Sequence, residues 1–481
     1  MSVRTLPTST PADRGVDASG VHAFLDALEA APDIEPHSLM IMRHGRLVAS
    51  GWWAPYTPER PHLLYSLSKS FTATAAGFAL AEGLIGLDDP VISYFPEFEA
   101  DITDPRSRAM RVRHVASMSS GHLADTVHES LALDPEEPVR GFLLLPPERD
   151  PGTVFAYNQP TTYTLAAIVQ RVTGQRLTDY LRPRLLDPLG VGAVSWLRDR
   201  AGRELGYSGL HATTDAVARL GLLYLREGVG EGVRLLSRDW VELATRKHIP
   251  TAVGTPEADR GDWEQGYGFQ FWRSRHGYRG DGAYGQFCLV LPEYDAVIAT
   301  TAATVQMQDL LNLVWTHLLP AFGPEPRSGG EQSDAALARR LARLALPPAA
   351  GASAPPERAE AWSGARFTPA GGVCAAQPGL ASVGVSAGAD GWTLTLTEDG
   401  ERLELGLGPG GWHSAEQPLP TAVSGGWADA RTLKAHVAFL ETPHRLVLTC
   451  SLDDLTFTAR WLTQPLHGGR LRSLRAPRGS V

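Results

Sequence analysis

The spacing of apolar positions changes character several times along the first two-thirds of the chain. Val21, Phe24, Leu25 and Leu28 recur at i, i+3, i+4 and i+7 behind a polar tail, which predicts an amphipathic helix. Residues 38–53 predict a hairpin, with an apolar run from Leu39 to Met42, a turn at His44-Gly45 and a return strand over Leu47, Val48 and Ala49. A long helix is expected from near Ser66 to about Gly83. It is apolar or small nearly all round (Phe71, Ala73, Ala75, Ala76, Phe78, Ala79, Leu80), and a helix without a polar face is a buried one. Residues 100–260 alternate loops with helical pieces, the clearest over 162–173 with Gly174 as its C-cap. From Gly266 the period shortens: 267–273, 286–291 and 296–301 read as strands. An apolar helix follows, with Leu310, Leu311, Val314, Trp315 and Leu318. A helix–hairpin start and a strands–helix finish around a helical middle predict one α+β domain whose two ends meet in the same sheet.

After Phe322 the composition shifts. Residues 323–330 are Pro/Gly-rich, 334–346 carry a short helical pattern, and 347–356 form a Pro/Ala linker. Strand alternation then dominates. Trp392 to Leu396 turns at Asp399-Gly400 and returns through Leu403, Leu405 and Leu407; Leu446, Leu448, Cys450 and then Leu455, Phe457, Ala459, Trp461 alternate likewise. The expected division is a tail over 1–17, an α+β domain over 18–322, a linker with a short helix over 323–357 and an antiparallel β sandwich or barrel over 358–481.

Composition narrows the function classes. The chain has 481 residues, 43% of them hydrophobic and 20% charged, with a net charge of −9, which suits a globular protein and argues against a nucleic-acid surface. No window is long and apolar enough for a membrane span, and Met1 to Val16 show no secretory pattern. Cys288, Cys374 and Cys450 are widely spaced and fit a reducing, cytoplasmic compartment. The 15 histidines form no H-E-x-x-H or Cys/His cluster, so neither a metal nor a cofactor is expected. Only three of the 44 basic residues are lysines, and one of them is Lys69. A desolvated lysine can accept a proton near neutral pH, whereas arginine cannot.

Three segments could carry chemistry. Ser66-Leu67-Ser68-Lys69 opens the buried helix, so Ser66 and Lys69 share a face, and the helix N-terminus favours a developing negative charge. Pro151-Gly152-Thr153 leads to Tyr157-Asn158-Gln159 just before the next clear helix. Arg279-Gly280-Asp281-Gly282-Ala283 is a Gly-dense stretch entering a strand, where glycine admits close approach. Taken singly, each has a plainer reading: a capping serine with a surface lysine, a packing tyrosine, a bulged hairpin.

In this order and spacing, the three segments resemble the penicillin-binding-protein and class C β-lactamase-like serine hydrolase family. That family has S-x-x-K on a buried helix, Y-x-N in a mid-domain loop and K/H-x-G on a sheet edge. Leu87-Asp88-Asp89-Pro90-Val91, Ser119-Ser120-Gly121-His122, Asp187-Pro188-Leu189-Gly190 and Gly209-Leu210-His211-Ala212-Thr213 agree with it. The resemblance covers residues 18–320. It implies a transpeptidase-like domain, an antiparallel sheet flanked by helices plus a mostly helical subdomain. It also implies Ser66 as nucleophile, Lys69 as its proton acceptor and Tyr157 as the proton shuttle. The backbone N–H groups of Ser66 and Ala283 would form the oxyanion hole, and Asn158, Gln159, Gly280, Asp281 and Gly282 would line the substrate site. Two positions depart from the family: Gln159 stands where Asn is usual, and Gly280 where Lys or His is usual. Loss of that cation weighs against penicillin or D-Ala-D-Ala recognition, with Arg279, His276 and Arg275 as nearby sources of charge.

Two further motif matches are set aside. Gly384-Val385-Ser386-Ala387-Gly388 matches a nucleophile elbow, but Ala389-Asp390-Gly391 predicts a turn into another strand rather than a helix. Gly406 to Gly411 matches G-x-G-x-x-G with a proline inside and no helix after it. The resemblance implies a serine hydrolase forming an acyl-enzyme with a small-molecule ester, amide or short peptide, and the cysteine usage and N-terminus place it in the cytoplasm as an expectation. No nucleic acid or membrane partner is expected, and a homo-oligomer is left open. The alternatives are an acyltransferase or peptide cyclase using the same acyl-enzyme, and an inactive relative used for binding.

Overall fold

The computed structural model describes residues 5–478 apart from 356, 358 and 390. Asp390 of the expected turn, Pro356 and Arg358 at the expected domain boundary, and residues 1–4 of the tail lie outside the described residues. Among the described residues, the hydrophobic patterns above become two large β structures and two small sheets.

The first is a six-stranded antiparallel sheet. Its strands are β1 (Glu35–Arg43), β2 (Arg46–Trp52), β3 (Trp272–Arg273), β4 (Tyr278–Gly282), β5 (Gln286–Leu291) and β6 (Ala296–Ala303), in the order β2-β1-β6-β5-β4-β3. β1 and β6 pair antiparallel with Leu39 opposite Thr300 and Ile41 opposite Ile298, so the two ends of the α+β pattern meet as expected. The β1–β2 turn is made by His44 and Gly45, both left-handed (φ 48° and 67°), the twist a two-residue hairpin requires.

Alternation splits the sheet between two cores. Ile41, Leu289 and Ile298 pack with Val21, Phe24 and Leu25 of α1 (Ala18–Ala30). Met40, Met42, Cys288 and Val297 face the other way, in the core that holds Phe71 and Ala75 of α2 (Ser68–Ala81). Leu165 and Ile168 of α3 (Gln159–Thr173) and Val217 and Leu220 of α4 (Thr214–Leu225) belong to that same core. Gly174 caps α3 in the left-handed region, and Pro160 occupies its first turn, which moves the helix start earlier than the apolar stripe predicts. The strand expected over 267–273 forms only at Trp272–Arg273. Gln270 turns left-handed (φ 62°) and sends its amide to the carbonyls of Val115 and Ala116, at 3.2 and 2.9 Å. That buried polar anchorage outweighs the extended preference of the run.

The C-terminal strands are β7 (Ala365–Pro369), β8 (Leu380–Gly388), β9 (Gly391–Glu398), β10 (Glu401–Pro409), β11 (His413–Ala415), β12 (Thr421–Asp429), β13 (Thr432–Phe439), β14 (Arg445–Ser451) and β15 (Thr456–Trp461). They run in the order β10-β9-β8-β7-β15-β14-β13-β12-β11, and β10 also pairs with β12, Gly408 opposite Ser424. That last pairing closes eight strands into a barrel around Phe367, Val385, Leu394, Leu396, Val437 and Leu448. Ser386 lies within β8, as an ordinary strand residue. The barrel docks beside the turn that holds Ser66: Leu63 N–H donates to the Glu441 carbonyl at 2.8 Å, and Arg445 pairs with Glu35. Among the described residues no helix is long and apolar enough to cross a membrane.

Candidate active site

A single 3-10 turn, Tyr65–Leu67, delivers the chain into α2, with Ser66 in that turn and Lys69 in the first turn of the helix. α2 is buried from Ser68 to Ala79, and Lys69 is only 1% exposed. Its Nζ lies 3.0 Å from Ser66 Oγ, 2.6 Å from Gln159 Oε1 and 2.8 Å from the Tyr207 carbonyl. Among the described residues no carboxylate lies within ion-pair distance of it. Desolvation lowers its pKa from 10.5 to about 7, against the weaker pull of Asp125 and Asp281.

The three contacts also say where the lone pair of the neutral amine would point. An ammonium donates three hydrogen bonds, and a neutral amine donates two and accepts one. The Gln159 and Tyr207 oxygens can only accept, so Ser66 is the partner that can reverse and donate its O–H to Nζ. Loss of the lysine proton therefore turns the serine hydroxyl toward a base.

Tyr157 precedes α3 and closes over the same amine, which lies 4.8 Å from the phenol ring centre. Its ring stacks on Trp272 at 5.4 Å and meets Tyr267 edge-on at 6.2 Å. Burial raises the phenol well above its ordinary range and Asp281 adds to this, while the Ser66 hydroxyl, Trp272 and Arg279 act the other way. Two residues on, Gln159 reaches Lys69 from the first residue of α3, with its own N–H held at 3.0 Å by the Asp125 carboxylate. Asn158 turns elsewhere. Its Oδ1 accepts from the N–H and hydroxyl of Thr126, at 2.9 and 3.1 Å, and its Nδ2 is buried without a partner among the described residues.

β4 supplies the other wall. A Cβ on Gly282 would stand 2.1 Å from the Leu64 carbonyl, so only glycine lets the strand approach the Ser66 turn this closely. A Cβ on Gly280 would meet Leu67 Cδ1 at 2.4 Å and Ser70 Oγ at 2.8 Å, so a side chain there would collide with the start of α2. Ala283 follows at the end of the strand, packed against Leu63, Tyr65 and Tyr284. Among the described residues, the N–H groups of Ser66 and Ala283 take no part in the turn and loop hydrogen bonds.

Arg279 and Asp281, two residues apart, share the opposite face and pair at 2.8 Å. Arg279 is wholly buried, with its guanidinium 4.5 Å from the Trp263 ring centre and 5.8 Å from that of Trp272. Arg275 is taken by Asp262 at 2.8 Å, and His276 packs against Trp315 at 5.0 Å. Of the three nearby sources of charge, Arg279 is the one whose field reaches Tyr157. Among the described residues no cluster of three or more His, Cys, Asp or Glu side chains is placed to hold a metal ion.

The structure thus gathers Ser66, Lys69, Tyr157 and Gln159 around one amine, with Ala283 and Gly282 against the serine's turn. Sequence reasoning missed the Tyr207 carbonyl, the Asp125 carboxylate, and Trp272, on which Tyr157 stacks. A backbone carbonyl carries no residue-type signal, and Asp125 and Trp272 lie outside the motifs. Beside the site lies a cavity of about 310 Å³ whose lining is mainly apolar, with Val127, Leu131, Leu205 and Tyr207, and also includes Asp199 and Arg200.

A serine hydroxyl, a buried amine and a phenol thus stand together beside this sheet. The family model described as Beta-lactamase matches residues 23–321, more than half of the chain, and the chain belongs to that family. It is 29% identical over 303 residues to a 6-aminohexanoate-dimer hydrolase of Paenarthrobacter ureafaciens, covering 57% of this chain and 76% of that one. It is also 25% identical over 214 residues to esterase EstB of Burkholderia gladioli, covering 39% and 54% of the two chains. A Bacillus anthracis structure of the 6-aminohexanoate-dimer hydrolase type superposes with a TM-score of 0.53 at 19% identity, over 65% of this chain and 87% of the other. That last likeness concerns the fold alone.

Proposed function

We propose that the protein is an esterase or amidase that cleaves small-molecule substrates through an acyl-enzyme on Ser66. The observation that carries this reading is the Lys69 amine, buried, unpaired with any carboxylate among the described residues and 3.0 Å from Ser66 Oγ. Neutral Lys69 takes the Ser66 proton as Oγ attacks the substrate carbonyl. The N–H groups of Ser66 and Ala283 receive the oxyanion, and two preorganised donors are worth several kcal/mol in such a transition state, on the order of 3 each. Tyr157 passes a proton to the departing alkoxide or amine as its bond to the acyl carbon breaks. Water then attacks the ester, giving its proton to the same basic groups, and the acid leaves with Ser66 restored.

The neighbouring cavity supports an apolar acyl or alcohol portion, since it adjoins Lys69 through Tyr207 and falls in the size range of small-ligand sites. The absence of a lysine or histidine side chain at Gly280 speaks against a substrate carboxylate at that wall. Ester and amide substrates both occur among the named relatives. Three buried free thiols suit a cytoplasmic setting.

A panel of p-nitrophenyl esters of increasing chain length, a linear amide dimer and a chromogenic cephalosporin tests the substrate class. Hydrolysis is expected for the medium-chain esters and not for the cephalosporin. A fluorophosphonate should add one adduct by intact mass, lost in Ser66→Ala together with about 10⁴-fold or more of the activity. An unlabelled wild-type protein would remove the acyl-enzyme reading.

A further inference from the structure

The residue before Ser66 and the residue after Ala283 are both tyrosines in left-handed backbone conformations: Tyr65 at φ 47° and Tyr284 at φ 70°. Bulky side chains seldom adopt that region and hold it only where the surroundings fix it. Both side chains are buried, at 2% and 7% exposure, and their rings meet edge-on at 5.5 Å.

What fixes them comes from the barrel. Tyr65 Oη lies 2.6 Å from His444 Nε2 and accepts from the Leu466 N–H at 3.4 Å. His444 is wholly buried, and its Nδ1 is 2.8 Å from the Thr463 carbonyl. A carbonyl can only accept, so Nδ1 carries the proton and Nε2 is the acceptor for the Tyr65 hydroxyl. The Tyr284 hydroxyl donates to the Gln464 carbonyl. The His444 ring completes the cluster, with centres 5.8 Å from Tyr65 and 5.7 Å from Tyr284.

We infer that the C-terminal barrel is a working part of the active site. Through His444 and the 463–466 segment it pins Tyr65 and Tyr284, and so fixes the backbone N–H groups of Ser66 and Ala283 that face the oxyanion. Tyr65 and Tyr284 are positioning residues: each hydroxyl is engaged with the barrel, and each backbone adjoins one donor of the pair. The inference rests on the acyl-enzyme reading for its catalytic consequence, but the pinning itself is a statement about the backbone.

The test compares Tyr65→Phe, Tyr284→Phe and the double variant in the full chain, each keeping its ring and losing its hydroxyl. A control, Arg60→Gln, cuts the Arg60–Glu416 pair that also joins barrel to domain but touches neither turn. On a p-nitrophenyl ester each single variant should lose about 10-fold in kcat and the double about 100-fold, below the cost of deleting a donor outright, with KM changed less than twofold. The control should keep kcat. Hydrogen exchange should quicken at the amides of 64–68 and 282–286 in the tyrosine variants and not in the control. Unchanged exchange and unchanged kcat in the double variant overturn the inference, as does a loss of kcat matched by the control. Localised exchange in a protein whose wild type takes no fluorophosphonate keeps the pinning and removes the acyl-enzyme reading instead.

Discussion

Lys69 at the start of α2 is 1% exposed, Arg279 on β4 is wholly buried, and each lies beside an aromatic ring of the same site. Around Lys69 stand a hydroxyl, an amide oxygen and a backbone carbonyl, all neutral. Around Arg279 stand a carboxylate at 2.8 Å, two indole faces and the oxygens of Asp262, Arg273 and Ser274 at 2.6–3.2 Å. Burial presses on both cations alike. Only one of them has a counter-charge, and only one has a chemistry that allows it to give up its proton. The difference teaches that a buried base is made by withholding a carboxylate. Here, one residue beyond the position where the family usually places its third-motif cation, the carboxylate of Asp281 is occupied by a permanent cation of the protein's own.

The largest effect that could break the comparison is expected from Lys69→Arg, which keeps the charge and removes the titration. It should lower kcat/KM by about 10³-fold or more on any ester the wild type hydrolyses, since general-base catalysis by a positioned group is worth about 10²–10⁴. Retention of a tenth of the activity would mean that the amine need not be neutral. Next comes Arg279→Met, which leaves Asp281 buried without its partner. Removing one member of a buried pair costs about 3–5 kcal/mol, read as a shift in the urea midpoint at neutral pH. A cost below about 1 kcal/mol would place Arg279 outside the structural role given to it here.

How much of this was legible in the sequence follows from how each group does its work. Ser66 and Lys69 are one helical turn apart and Tyr157 stands in a recognisable loop, so side-chain identity and spacing expose them. The α+β domain was legible because α1 keeps a clean 3.6-residue period, while β1, β5 and β6 are short, mostly apolar runs bounded by turn residues, buried along their whole length. The 267–273 segment was misread as one strand, since its apolar run says nothing of the left-handed turn at Gln270. Closure of the barrel depends on the parallel contacts between β7 and β15 and between β10 and β12, non-local pairings with no local signature. The contact of His444 with Tyr65 spans 379 positions, and a histidine on a β-rich segment reads as surface or core until the fold brings the two together.

The smallest expected effect sharpens the electrostatic half of the comparison. Asp125 is exposed and its charge favours the ammonium form of Lys69, so it works against the base. In the wild type, kcat/KM should rise as pH passes through about 7, where Lys69 loses its proton, and level off above it. Asp125→Asn removes the charge yet keeps an oxygen to accept from the N–H groups of Gln159 and Val127, now at 3.0 and 3.3 Å. With less to stabilise the ammonium, the proton leaves at lower pH, so the acid limb moves down by a fraction of a unit. Activity near pH 6 should rise about two- to threefold while the plateau stays put, because one pKa unit corresponds to about tenfold in the neutral fraction on that limb. The gap between variant and wild type should narrow as salt is added, since an exposed carboxylate is screened and the buried amine's desolvation is not. A limb that moves upward, or a plateau that falls with it, would mean that Asp125 acts through the position of Gln159 rather than through its charge.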